Sequence, residues 1–119
     1  MVESIVKNKA RDFAIKVVKL YKYLCDEKHE YVLSKQLLRA GTSIGANVCE
    51  AVRGQSTADF YAKMTIALKE AAETDYWLDL LNATDYIDAE MFTDVNSDCQ
   101  EIIKVLTSIT KTTKEKMKK

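Results

Sequence analysis

The run Arg39–Gly54 reads RAGTSIGANVCEAVRG and holds all three glycines of the chain. Gly41-Thr42-Ser43-Ile44-Gly45 invites comparison with a phosphate-cradling loop, where backbone N–H groups wrap an anion and a lysine neutralises it. The spacing fails. A Walker-type loop places four residues between its first glycine and Gly-Lys-Ser/Thr, whereas Thr42, Ser43 and Ile44 alone intervene here and Ala46-Asn47 follows. A dinucleotide loop needs a strand before it, and the preceding LSKQLLRA is a helix-forming run.

Other chemistry is equally short of parts. His29, the only histidine, sits in a polar run with no base–nucleophile arrangement around it. A di-iron bundle requires Glu-x-x-His on two helices; Glu70 and Glu73 share one side of a helical stretch, without histidines, where acids commonly face solvent. Cys25, Cys49 and Cys99 are far apart and form no CxxC, a poor zinc set and an odd number for a disulfide frame. No catalytic residue, metal or cofactor is expected.

The elements behind these residues are helical. Proline is absent and glycine scarce in 119 residues, which disfavours sandwiches and barrels and suits one all-α domain. Val6, Ala10, Phe13, Val17, Leu20 and Leu24 recur at steps of three and four, the stripe of a helix packed on one side. Leu37, Gly41, Ile44, Val48 and Ala51 or Val52 form a second stripe. Phe60, Met64, Ala67 or Leu68, Ala71, Leu78 and Leu81 form a third, with Trp77 on its shoulder. Phe92, Val95, Cys99, Ile102, Leu106 and Ile109 form the fourth. Four such helices joined by short links give an antiparallel up-down-up-down four-helix bundle spanning residues 1–119. The tail from about residue 111 is expected to fray.

Boundaries have local causes. Asp26 to Glu30 ends the first stripe, and Ser34 is the expected cap of the second helix. Gly54 is expected to end that helix as its C′ residue. Ser56 with Asp59, and Asp88 with Glu90, open the third and fourth. The second stripe runs unbroken through Gly41 and Gly45. Interior glycine costs about 1 kcal/mol against alanine, so the pair points to close approach by another helix. Asn47, Glu50 and Arg53 border the same helix, where they order its end, meet another subunit or face solvent; the Glu50/Arg53 spacing permits an ion pair.

The formal net charge is zero but unevenly spread. Lys7, Lys9, Arg11, Lys16, Lys19 and Lys22 outnumber the acids of the first helix, acids dominate residues 50–98, and the last segment turns basic with Lys104, Lys111, Lys114, Lys116, Lys118 and Lys119. First and last helices adjoin in such a bundle, so Lys7, Arg11, Lys16, Lys19, Lys22, Lys111 and Lys114 are candidate phosphate contacts for RNA or DNA in one joint patch. A basic first helix and an acidic third also suit head-to-tail self-assembly, with Gly41, Gly45, Asn47, Glu50, Arg53, Tyr76 and Trp77 as candidates for close packing or a subunit seam. Trp77 serves equally as core. The start, MVESIVKNKARDF, lacks an apolar leader, and no run approaches the length of a membrane span; a soluble cytoplasmic protein is expected.

Two runs, EYVLSKQLLRAGTSIGANVCEA and QSTADFYAKMTIALKEAAETDYWLDLL, resemble the four-helix-bundle proteins associated with the intervening sequence of bacterial 23S ribosomal RNA. Gln36, Leu37, Arg39 and Ala40 match the family's Q-L-R-A stretch; Ser43, Ile44, Asn47 and Glu50 match S-I-x-x-N-x-x-E. Ser56, Asp59, Phe60, Ala67, Glu70 and Glu73 follow its third-helix pattern. Lys28-His29 stands where many members have Phe-Pro. The resemblance implies an up-down bundle assembling as a homopentamer. It also extends distantly to accessory proteins of diversity-generating retroelements, which bind nucleic acid and a reverse transcriptase. The expected function is a non-catalytic, ring-forming scaffold or adaptor. The alternative is RNA or DNA binding through the first and last helices, with an unidentified protein as a further possible partner.

Overall fold

A computed structural model describes residues 2–118, so Met1 and Lys119, at the ends of the expected span, lie outside the described residues. The chain forms α1 (Val2–Asp26), α2 (Leu33–Val52), α3 (Thr57–Ala83) and α4 (Ala89–Met117). Each helix packs on the next and α4 returns to α1, while α1 and α3, like α2 and α4, stand diagonally opposed. The result is an all-α four-helix bundle measuring 51 × 22 × 20 Å.

The core is built from the stripes. All six α1 positions are buried, as are Leu37, Gly41, Ile44, Val48 and Ala51 on α2. Val52, the other reading for that last position, is 40% exposed. The α3 stripe gains Thr74, whose hydroxyl donates to the Glu70 carbonyl at 2.7 Å and so leaves the core no unpaired donor. On α4, Val95, Cys99, Ile102, Leu106 and Ile109 are buried, and the helix continues through Lys111 and the buried Thr113 to Met117.

Two boundary expectations need correction. Ser34 does not cap α2: it lies buried inside the first turn, and its hydroxyl donates to the Glu30 carbonyl at 2.8 Å. Glu30 does the capping, its carboxylate accepting from the N–H groups of Val32, Leu33 and Ser34 at 3.2, 3.0 and 2.7 Å. Its own N–H reaches back to the Leu24 carbonyl at 3.0 Å, and His29 makes this turn possible with φ 53°. Gly54 follows the α2 C-cap Arg53, but without positive φ. Its glycine is needed instead for clearance, since a Cβ there would sit 3.0 Å from the Ala51 carbonyl oxygen and 3.3 Å from the Asp59 Cβ. The left-handed cap belongs to Asp85 (φ 67°), where the N–H groups of Asp85 and Tyr86 return to the carbonyls of Asn82 and Leu81 in a Schellman closure. Ser56 and Asp88 cap α3 and α4 as expected, accepting from Asp59 N–H at 3.1 Å and Met91 N–H at 2.8 Å.

Burial alone would raise the pKa of Glu30, but the N–H bonds of Leu33, Ser34 and Val32 outweigh it and hold the carboxyl below its ordinary value. A lowered folded pKa stabilises above the unfolded value of 4.5 and is lost as pH falls through the folded one. Glu30→Gln is therefore expected to cost about 1–2 kcal/mol at neutral pH. The deficit should shrink as pH drops below 4.5, checked by urea unfolding of both proteins across acid pH.

Candidate interaction surfaces

The candidate cations do not gather on one surface. Lys16 is spent within the subunit, bonding Asp94 at 3.0 Å and Asp98 at 2.7 Å on α4. Bonds to Asp98 first and Asp94 second raise its pKa against a smaller effect of burial. Lys9 pairs with Glu101 across the same seam. These bridges span the thinnest of the four helix seams, above a cleft of about 180 Å³ that reaches Phe13 and Ile102.

Lys111 is exposed on α4, and Lys114 belongs elsewhere. Lys114 follows Asn96 by eighteen residues, about five helical turns, so both lie along one line of α4. Asn96 faces α3, donating to Asp75 at 2.7 Å. The expected joint patch of first and last helices therefore does not form: α4 presents acids to α1, and Lys114 lies on the side towards α3. Lys7, Arg11, Lys19 and Lys22 remain exposed along α1 and make no ion pair among the described residues.

The glycines separate as well. A Cβ on Gly41 would stand 2.8 Å from both γ-carbons of Val17, so α1 approaches α2 as closely as the missing side chain allows. Gly41 is buried inside the subunit. Gly45 is different: its Cβ would meet Ala10 at 3.7 Å, an ordinary contact. It lines a groove between α1 and α2 of about 240 Å³.

The α2–α3 face carries a polar network that the sequence reading missed. Arg39 donates to Glu70 at 3.1 Å and also pairs with Glu73, while Gln36 accepts from its Nε at 3.3 Å. Trp77 Nε1 donates to Glu73 at 3.0 Å, and Tyr76 stands edge-on to Trp77 with ring centroids 5.2 Å apart. Glu70 and Glu73 are thus held by Arg39 rather than left facing solvent. Their spacing from Tyr76 and Trp77 was visible; the cross-helix partner was not. Trp77 is half-buried against the core, whereas Tyr76 is 55% exposed. Glu50 pairs with Lys63 of α3 at 3.0 Å, not with Arg53, and Asn47 donates to the Ser43 carbonyl of its own helix at 2.8 Å.

Among the described residues no cluster of His, Cys, Asp or Glu could hold a metal ion, and no helix is long and apolar enough to cross a membrane.

No match is found among curated proteins. Among solved structures, the chain is similar to a protein of unknown function from the S23 ribosomal protein family of Bacteroides thetaiotaomicron VPI-5482, whose crystal structure was determined at 1.70 Å. The two share 54% identity and a TM-score of 0.91, over 93% of this chain and 99% of that one. The model of the 23S rRNA-intervening sequence protein family matches residues 2–108. With the bundle, its motif residues and that near-complete match in agreement, the chain belongs to the 23S rRNA-intervening sequence protein family.

Proposed function

We propose that the protein is a non-catalytic, homo-oligomeric scaffold of the cytoplasm, closed as a ring and pentameric by the family resemblance. The observation that carries this reading is the outward side of α3. A helix serving a single core keeps its apolar residues to one side; on α3 they are spread around the axis. Beyond the core stripe, Ala62, Ile66, Lys69, Glu73, Tyr76, Leu80 and Ala83 repeat at steps of four and three. Ile66 is 39% exposed and Tyr76 55%. Apolar residues on an outward side, with Lys69 and Glu73 among them, suit a protein–protein seam of mixed character.

Light scattering is the direct test. The wild type is expected at pentamer mass, and Tyr76→Glu at a lower mass with an unchanged helical circular dichroism spectrum. A monomeric wild type at every concentration tested would remove the reading.

A second reading, RNA or DNA binding, draws support from the exposed, unpaired Lys7, Arg11, Lys19 and Lys22 of α1, and from the distant resemblance to retroelement accessory proteins. It requires affinity for a structured RNA that falls steeply between about 50 and 200 mM salt. Absence of binding at the lower salt would dispose of it.

A further inference from the structure

Gly41 and Gly45 lie one turn apart, yet only Gly41 is explained by packing inside the subunit. Interior glycine costs about 1 kcal/mol against alanine, and at Gly45 a methyl group would fit without displacing anything. What the missing side chain does there is keep the α1–α2 groove open, between the small residues Ala14, Gly45 and Ala46 that line it. Lys7 and Arg11 also line it, both exposed and both without a partner carboxylate among the described residues.

We propose that this groove receives the outward face of α3 from the next copy of the chain, with Ile66 seated over Gly45 and Asp59 beside Lys7 and Arg11. The inference rests on the oligomeric reading above. Its geometry follows from the bundle. α1 and α3 start at the same end and run in the same direction; Arg11 and Ile66 each lie nine residues beyond the first residue of their helix. At 1.5 Å per residue both therefore stand about 13 Å from that end. Asp59 lies about two turns, or about 10 Å, nearer the end, within the reach of the Lys7 side chain, and on the same side of α3 as Ile66 because seven residues are close to two whole turns. It is exposed, and its carboxylate makes no ion pair among the described residues.

Placement also decides between a line and a ring. α1 and α3 occupy opposite corners, so contact between those two corners would repeat straight on. A groove between α1 and α2 is displaced from the diagonal, which turns each copy relative to the last and lets the contacts close.

Cys49 lines the same groove and supplies the test. Ile66→Cys in the full chain, mildly oxidised, is expected to give a ladder of disulfide-linked species on a non-reducing gel, because the two thiols of neighbouring copies come within bonding range. Cys49→Ser combined with Ile66→Cys should abolish the ladder. Thr107→Cys, on the outer side of α4, should give about tenfold less, the level expected of unheld collisions. Gly45→Leu, which fills the groove, should lower the mass in solution while leaving the helical spectrum unchanged. If the wild type is assembled, yet Ile66→Cys gives no Cys49-dependent linkage and Gly45→Leu keeps full mass, the groove assignment is overturned and the oligomeric reading stands. A monomeric wild type overturns both.

Discussion

Gly41→Leu is expected to destabilise the bundle by about 2–3 kcal/mol, whereas Gly45→Ala should stabilise it by about 0.5–1 kcal/mol. Adding a side chain to glycine thus has opposite signs one turn apart. Leucine and alanine both gain helix propensity over glycine. At position 41, however, the first added carbon already overlaps Val17, with both γ-carbons 2.8 Å away. Val17 is fully buried and β-branched, so no rotamer removes both overlaps. α1 would have to move off α2, opening the core around Phe13 and Ile44. At position 45 the added methyl touches Ala10 at 3.7 Å and only reduces the freedom of the unfolded chain. Both variants belong in the Tyr76→Glu background, where unfolding is not coupled to association. Urea midpoints at unchanged m-value report the difference. A neutral Gly41→Leu would mean that the α1–α2 distance is not set by this contact.

The bundle was legible because burial and helical period coincide. Every α1 stripe residue lies in the core, and the α2 period runs through two glycines without a break. Thr74 escaped because its polarity suggests exposure, yet its hydroxyl bonds the preceding turn and leaves a methyl to pack. The α2 entry was misread for a related reason. A serine near a helix start usually caps through its own oxygen, but a carboxylate four residues earlier takes three N–H groups at once. That choice depends on the left-handed turn at His29, which residue type does not announce. The cations were misread more seriously. Charge per helix says nothing about azimuth, and the acids of α4 that face α1 drew Lys16 out of the expected joint patch into internal bridges. Arg39 shows the converse: its partners lie thirty-one and thirty-four residues away, so no local pattern pairs them.

Cys99 gives the largest expected contrast in reactivity. Alkylation at pH 8 of the Tyr76→Glu variant, in which the groove is uncovered, should modify Cys25 and Cys49, both half-buried, while Cys99 reacts only as the protein unfolds. Burial, with a smaller contribution from the Asp75 carboxylate, pushes its thiol from 9.0 up to about 12. That shift lowers the thiolate fraction about a thousandfold, and enclosure on the α3–α4 seam adds the requirement for opening. The thiol donates to the Ala71 carbonyl at 3.4 Å, a bond that its ionised form cannot make. The same displacement links stability to alkali. Because the folded pKa lies above the unfolded one, the stabilisation is complete below pH 9.0 and is lost as pH rises towards about 12, at roughly 1.4 kcal/mol per pH unit. Lysines and tyrosines also titrate there, so Cys99→Ala is the reference: its stability should fall less between pH 9 and 10.5 than that of the wild type. Equal slopes, or three thiols modified at one rate under native conditions, would place Cys99 in a loosened α3–α4 seam rather than a closed core.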